Sequence, residues 1–283
     1  MDIRRIRELV IIAMFADDDL METLVLKGGN ALDIAHDLKL RASVDVDFSM
    51  SDDFEDLEAI ESKIERTLSE RFDSEGYQVF DYRFKPKPKK ASQEIPDFWG
   101  GYQVEFKIIE AQKYDELQLN LDNLRRNATT IGSEQQRTFK IDISKHEYCD
   151  SKEELELDDY IIYVYTLPMI LIEKLRALCQ QMPEYPLRGK GRARARDVFD
   201  IYSIITEKSV DIASSENQEL FKSIFSAKEV PLSLLSGIKK QREFHRPDWA
   251  AVEQSVSTSL KSFDFYYDFL EELVENLKSL GIE

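Results

Sequence analysis

The apolar residues change period once along the chain, near residue 166, and that change constrains the fold more than any other feature. Before it, short runs at Val44–Phe48, Tyr77–Phe84, Tyr102–Ile109, Phe139–Ile143 and Ile161–Tyr165 carry strand patterns, most of them alternating. A run that alternates buries one face of a pleated strand. After it, Met169–Gln181, Arg194–Thr206 and the remainder to Leu280 place apolar residues at helical spacing. Pro168 precedes the first of these helices and suits a first helical turn. The expected class is α+β. Residues 1–166 form a mixed sheet with helices, and residues 167–283 form a helical domain. Within the first part, Ile3–Phe15, Asn30–Leu38 and Leu57–Phe72 read as helices and Leu24–Leu26 as a short apolar run. The Pro/Lys-rich connection after Phe84 reads as irregular, because proline cannot donate to a strand ladder.

The strand Val44–Phe48 carries Asp45 and Asp47 two residues apart. Such residues project from one face, so the two carboxylates stand together while Val44, Val46 and Phe48 face the core. Paired carboxylates raise each other's pKa unless a cation sits between them. Mg²⁺, a hard cation held by one or two carboxylates plus substrate phosphates, fits that arrangement. Upstream, Gly28 and Gly29 let the backbone approach a phosphate, and the helix that follows presents amides to the anion.

An isolated Asp-x-Asp is weak evidence in a chain with 55 acidic residues; its company gives it weight. Asp142 lies between Ile141 and Ile143 and would complete a three-carboxylate set with Asp45 and Asp47 if its strand neighbours theirs, with Glu105 as the alternative. Lys174 and Arg176 lie on a helix, where a wet face is the bland expectation and stabilisation of a polyphosphate the functional one. Asp197 follows the arginine run Arg192, Arg194, Arg196 and sits where a helix begins, a favourable place for a carboxylate.

The formal charge of −17 argues against diffuse binding of nucleic acid. Two segments run against it, Arg83–Lys90 and Arg188–Arg196. Each is a local surface for phosphates or a solvated loop. No apolar run approaches the roughly 20 residues that cross a bilayer, and Cys149 and Cys179 suggest no disulfide framework. A cytoplasmic location is expected, with no membrane partner.

Five blocks occur in order: Gly28-Gly-Asn-Ala-Leu32, Arg41-Ala-Ser-Val-Asp-Val-Asp-Phe48, Lys140-Ile-Asp-Ile-Ser144, Glu173-Lys-Leu-Arg-Ala-Leu178 and Arg194-Ala-Arg-Asp-Val-Phe-Asp-Ile-Tyr202. Together they resemble the AbiEii/AbiGii-type nucleotidyltransferase toxins of type IV toxin–antitoxin and abortive-infection (phage-defence) systems. The resemblance implies a polymerase-β-like nucleotidyltransferase core followed by a helical domain. It implies Mg²⁺ as cofactor, an NTP as substrate, a tRNA 3′ end as the RNA acceptor, and a cognate antitoxin encoded nearby as partner. Carried over by position, Asp45 and Asp47 resemble the metal ligands, Lys174 the nucleotide-phosphate lysine and Asp197 the acidic residue of the last motif. The first motif departs from the common Gly-Ser form. Asn30 or Ser43 stands as the candidate phosphate contact there, with Gly28, Gly29, Arg41 and Arg176 completing the nucleotide-binding set. Two other readings are a nucleotide-sensing module without turnover and a transferase with a protein or small-molecule acceptor.

Overall fold

The computed structural model describes residues 2–40, 44–88, 96–131, 135–187, 190–256 and 259–282. Its contacts divide the chain into two units, Met1–Ala35 with Ser43–Tyr165, and His36–Ala42 with Thr166–Glu283.

In the first unit the chain runs α1 (Ile3–Phe15), α2 (Asp18–Thr23), β1 (Val25–Lys27), α3 (Gly28–Asn30), a π-helical turn (Ala31–Ala35), β2 (Val46–Ser49) and α4 (Leu57–Asp73). It continues through β3 (Tyr77–Lys87), β4 (Gly101–Glu110), α5 (Ala111–Leu117), α6 (Leu121–Asn127), β5 (Phe139–Ser144), β6 (Glu153–Leu157) and β7 (Tyr160–Val164). The strands make one seven-stranded mixed sheet in the order β3-β4-β5-β2-β1-β7-β6. The β2–β5 and β1–β7 pairs are parallel, and the other pairs are antiparallel.

Alternation decides which face of the central strands is buried. Val46 and Phe48 on β2, Ile141 and Ile143 on β5, and Val104 and Phe106 on β4 are almost wholly buried. Helix α1 is buried nearly all round, from Ile6 through Phe15. Asp2 caps it by accepting from the Arg5 amide. Each fully buried Leu or Ile of this kind contributes about 1.5–3 kcal/mol relative to exposure.

Three local expectations are corrected. The segment after Phe84 is not irregular at once, because β3 continues through Lys85, Pro86 and Lys87. Proline is tolerated there because β3 is an edge strand with one unpaired side. The helix expected over Asn30–Leu38 is a single α turn followed by a π-helical turn ending at Ala35. The strand expected from Val44 begins at Val46, which leaves Asp45 exposed and one residue ahead of it. The hairpin strand β6 carried too few apolar residues to be read from the sequence. Its turn places Asp158 and Asp159 at positive φ, which aspartate tolerates better than most residues.

From Leu167 on, the regular elements of the second unit's described residues are all helical: α7 (Leu167–Cys179), α8 (Ala195–Lys208), α9 (Ser215–Ser226), a 3₁₀ stretch (Leu232–Gln241), α10 (Arg242–His245), a 3₁₀ turn (Arg246–Asp248), α11 (Trp249–Ser255) and α12 (Phe263–Ser279). Leu171, Leu175 and Leu178 of α7 are fully buried, as are Val198, Ile201 and Ile204 of α8.

Candidate active site

Strand register builds one continuous polar row across five strands. Lys85 of β3 lies opposite Gln103 of β4, Gln103 opposite Asp142 of β5, Asp142 opposite Asp47 of β2, and Asp47 opposite Lys27 of β1. Directly opposed residues share a face, so the row brings Asp47 and Asp142 together on the side of the sheet away from Val46, Phe48, Ile141 and Ile143. A second row lies two residues along, with Arg83 opposite Glu105 and Glu105 opposite Lys140. Glu105 is therefore two strands away from β2, where Lys85 donates to it and holds its carboxyl below the ordinary range.

Gly28 stands directly behind Asp47. Its φ is +69°, and a Cβ there would lie 2.7 Å from Asp47 Oδ2. Only glycine satisfies both the left-handed backbone and the close approach of the carboxylate. Asn30 is fully buried, and its Nδ2 donates to the Asp45 carbonyl at 2.6 Å. Its Oδ1 accepts from Arg7 Nη1 at 3.0 Å, and Arg7 Nη2 donates to Asp33 Oδ2 at 2.8 Å. The side chain expected at a phosphate is thus committed to fixing the backbone at Asp45. Lys27 is buried, 3.9 Å from Glu147.

Partial desolvation pushes the Asp45 carboxyl above the usual aspartate range. The Lys140 ammonium pulls it back, Asp142 adds repulsion, and Lys87 offsets part of that. Asp142 Oδ1 accepts from Lys87 Nζ at 2.9 Å and from Gln103 Nε2 at 2.8 Å. Among the described residues no group of three or more His, Cys, Asp and Glu is gathered tightly enough to hold a metal ion in this arrangement. The donor set still fits Mg²⁺ in kind. Asp45, Asp47 and Asp142 offer hard oxygens, and the missing Cβ of Gly28 leaves room at Asp47.

In the helical unit Lys174 is buried rather than on a wet face. Its Nζ lies 3.0 Å from Asp197 Oδ1 and 2.7 Å from Asp200 Oδ2. Arg194 Nη1 donates to Asp197 Oδ2 at 2.7 Å. Burial alone would raise the Asp197 carboxyl, but Lys174 and Arg194 together hold it far below the usual range. His245 Nδ1 accepts from the Arg194 amide at 3.1 Å. Burial depresses its imidazole to about 4, against a smaller upward pull from Asp197. Arg176, expected at the phosphates, is buried and donates to the Ile224 carbonyl at 2.9 Å, tying α7 to α9. The expected contacts Arg41 and Ser43 lie outside the described residues, as do Lys89, Lys90 and Arg188 of the basic segments.

The sequence reading gave no role to Asp200 or Gln103 and had Lys87 only as part of the basic segment Arg83–Lys90. Asp200 follows Asp197 by three residues and shares its helix face, a spacing that was available to find it. Lys87 and Gln103 reach Asp142 only through strand order and register.

Comparison with known proteins adds independent findings. The family model for the nucleotidyl transferase AbiEii toxin of type IV toxin–antitoxin systems matches residues 11–269. No curated protein matches the chain. Among solved structures, a protein from H. pylori described as a nucleotidyltransferase aligns with a TM-score of 0.51 at 16% identity, over 99% of this chain and 95% of its own. That likeness is one of fold. The JHP933 protein from Helicobacter pylori aligns with a TM-score of 0.49 at 17% identity, over 98% of this chain and 93% of its own.

Proposed function

The chain belongs to the nucleotidyl transferase AbiEii toxin family of type IV toxin–antitoxin systems, and from that premise we propose that it moves a nucleotide from an NTP to an RNA 3′-hydroxyl, with tRNA the first acceptor to test. The observation that carries the reading is the register that sets Asp142 opposite Asp47, beside Asp45 and against Gly28. Asp45, Asp47 and Asp142 would hold Mg²⁺, which when bound screens phosphate charge and favours in-line displacement.

The chain's own residues do the rest. Gly28 keeps the backbone clear of Asp47, and Asn30 fixes the carbonyl of Asp45, so both carboxylates are placed before substrate arrives. Asp142 accepts the proton of the attacking hydroxyl at a carboxylate oxygen. The acceptor oxygen bonds to the α-phosphorus, the α–β phosphoanhydride breaks, and pyrophosphate leaves. Glu105 is not needed in this scheme, because its register partner is Lys140 and not Asp47. Lys174 is kept as the phosphate lysine, with Asp197 and Asp200 fixing its ammonium. An antitoxin encoded beside the gene is the partner this reading implies, and defence against phage the biological setting.

The test is incubation of the purified protein with Mg²⁺, total tRNA and each labelled NTP in turn, beside an Asp45→Ala/Asp47→Ala control. Label on tRNA with the intact pair alone supports the proposal and identifies the base. Full transfer by the control would refute it. Pyrophosphate release without labelled tRNA would move the acceptor to a protein or small molecule. NTP binding without pyrophosphate release would favour a sensing module.

A further inference from the structure

Asp142 already has a cation. Lys87, on the edge strand β3, donates to its Oδ1 at 2.9 Å, and Gln103 donates to the same oxygen. The two side chains of the pair are 55% and 28% exposed, so the contact is at the surface. Surface pairs of this kind are worth about 0.2–1 kcal/mol, which makes them easy to exchange. Without Lys87, Asp142 would stand opposite Asp47 without its ion-pair partner, and the repulsion of Asp45 by Asp142 would lose one of the two lysines that offset it. A divalent cation on these carboxylates would repel an ammonium at Asp142 Oδ1 by the same Coulomb law that now attracts it.

We propose that Lys87 is the resident counter-ion of Asp142, neutralising it in the metal-free protein and surrendering that place to the divalent cation when the site is loaded. The inference rests on the reading of Asp45, Asp47 and Asp142 as the cation site. It gives the basic segment from Arg83 a function within the same face of the sheet. Neighbouring Lys85 supplies an internal contrast, because it carries the same charge on the same strand but donates to Glu105. Lys87 and Lys85 therefore differ in partner and not in kind.

The experiment is Mn²⁺ binding to the full chain without nucleotide, followed by titration calorimetry and by the free-Mn²⁺ resonance signal. Lys87→Met should tighten Mn²⁺ binding by about 1.4- to five-fold, the range that releasing one exposed pair supplies. Lys85→Met should change it by less. In an Asp142→Asn background the effect of Lys87→Met should shrink to what Lys87 exerts on Asp45. Unchanged or weaker binding by Lys87→Met, or equal tightening by Lys85→Met, would overturn the proposal. Asp45→Asn/Asp47→Asn separates the two levels. If that variant binds Mn²⁺ as well as the parent, the site itself has been misassigned. If it loses binding while Lys87→Met changes nothing, only the role of Lys87 fails.

Discussion

Asp47 and Asp142 face each other across two parallel strands, β2 and β5, although 95 residues separate them in the chain. Neighbouring strands lie roughly 4.8 Å apart, so the pairing places two carboxylates side by side on one polar face. Asp142→Asn keeps the shape of the side chain and its acceptor oxygen but removes the charge. We expect nucleotidyl transfer to fall by about 100-fold or more, the usual cost of losing a general base. NTP binding should change far less. Single-turnover rates measured beside equilibrium NTP binding check this split. A loss confined to NTP affinity would mean that Asp142 does not act on the acceptor hydroxyl.

Gly28→Ala tests the backing of Asp47. The new methyl group would need a left-handed backbone costing about 1–2 kcal/mol and would also lie 2.7 Å from Asp47 Oδ2 unless the carboxylate moved. The expected outcome is a modest drop in melting temperature with a disproportionate loss of transfer activity. Gly76→Ala is the control. It has a positive φ of 77° and nothing within 4 Å of the added Cβ, so it carries the backbone strain without the displaced carboxylate. Equal activity losses in the two variants would remove Gly28 from the site.

These two cases show what the sequence made legible and what it did not. The strands β2, β4 and β5 were readable because period-two alternation is local, although β2 begins one residue after Asp45. Which of Asp142 and Glu105 stands beside Asp47 was not readable, since both sit in equally convincing strands. Strand order puts Asp142 there, by placing β5 beside β2 and β4 one strand further out. Asn30 and Arg176 were read as phosphate contacts from their neighbours in the chain, whereas their buried environments give them structural partners. Burial of a polar side chain depends on packing from distant segments, and local period carries little of that information.

Lys174→Met tests the buried cluster of the helical unit. Asp197 would retain Arg194, but Asp200, 1% exposed, would lose the ammonium 2.7 Å away. Removing one partner of a buried pair costs about 3–5 kcal/mol, because the remaining charge stays desolvated. Chemical denaturation should show a loss of that order. Adding Asp200→Asn to Lys174→Met should restore part of it, by at least about 1 kcal/mol. A double variant less stable than Lys174→Met alone would show that the Asp200 charge is stabilised by something other than this lysine.

His245 gives the helical unit a pH dependence with a definite sign. Its folded pKa is depressed to about 4 by burial, below the ordinary histidine value of about 6.5. Between those values the unfolded chain binds a proton that the folded one refuses, so stability rises with pH across that window. The contribution is fully present above about pH 6.5. It declines as pH falls and is exhausted near the folded pKa, for a total of up to about 3 kcal/mol. Protonation would also place a hydrogen on Nδ1, the atom that accepts from the Arg194 amide. Arg194 in turn holds Asp197, so acid reaches the Lys174 cluster through this bond. His245→Asn supplies a non-titrating acceptor of similar reach. Unfolding free energies measured from pH 7.5 down to pH 5 should fall in the parent and stay nearly flat in the variant, even where the variant starts lower. Parallel slopes in the two proteins would assign the pH dependence to other groups.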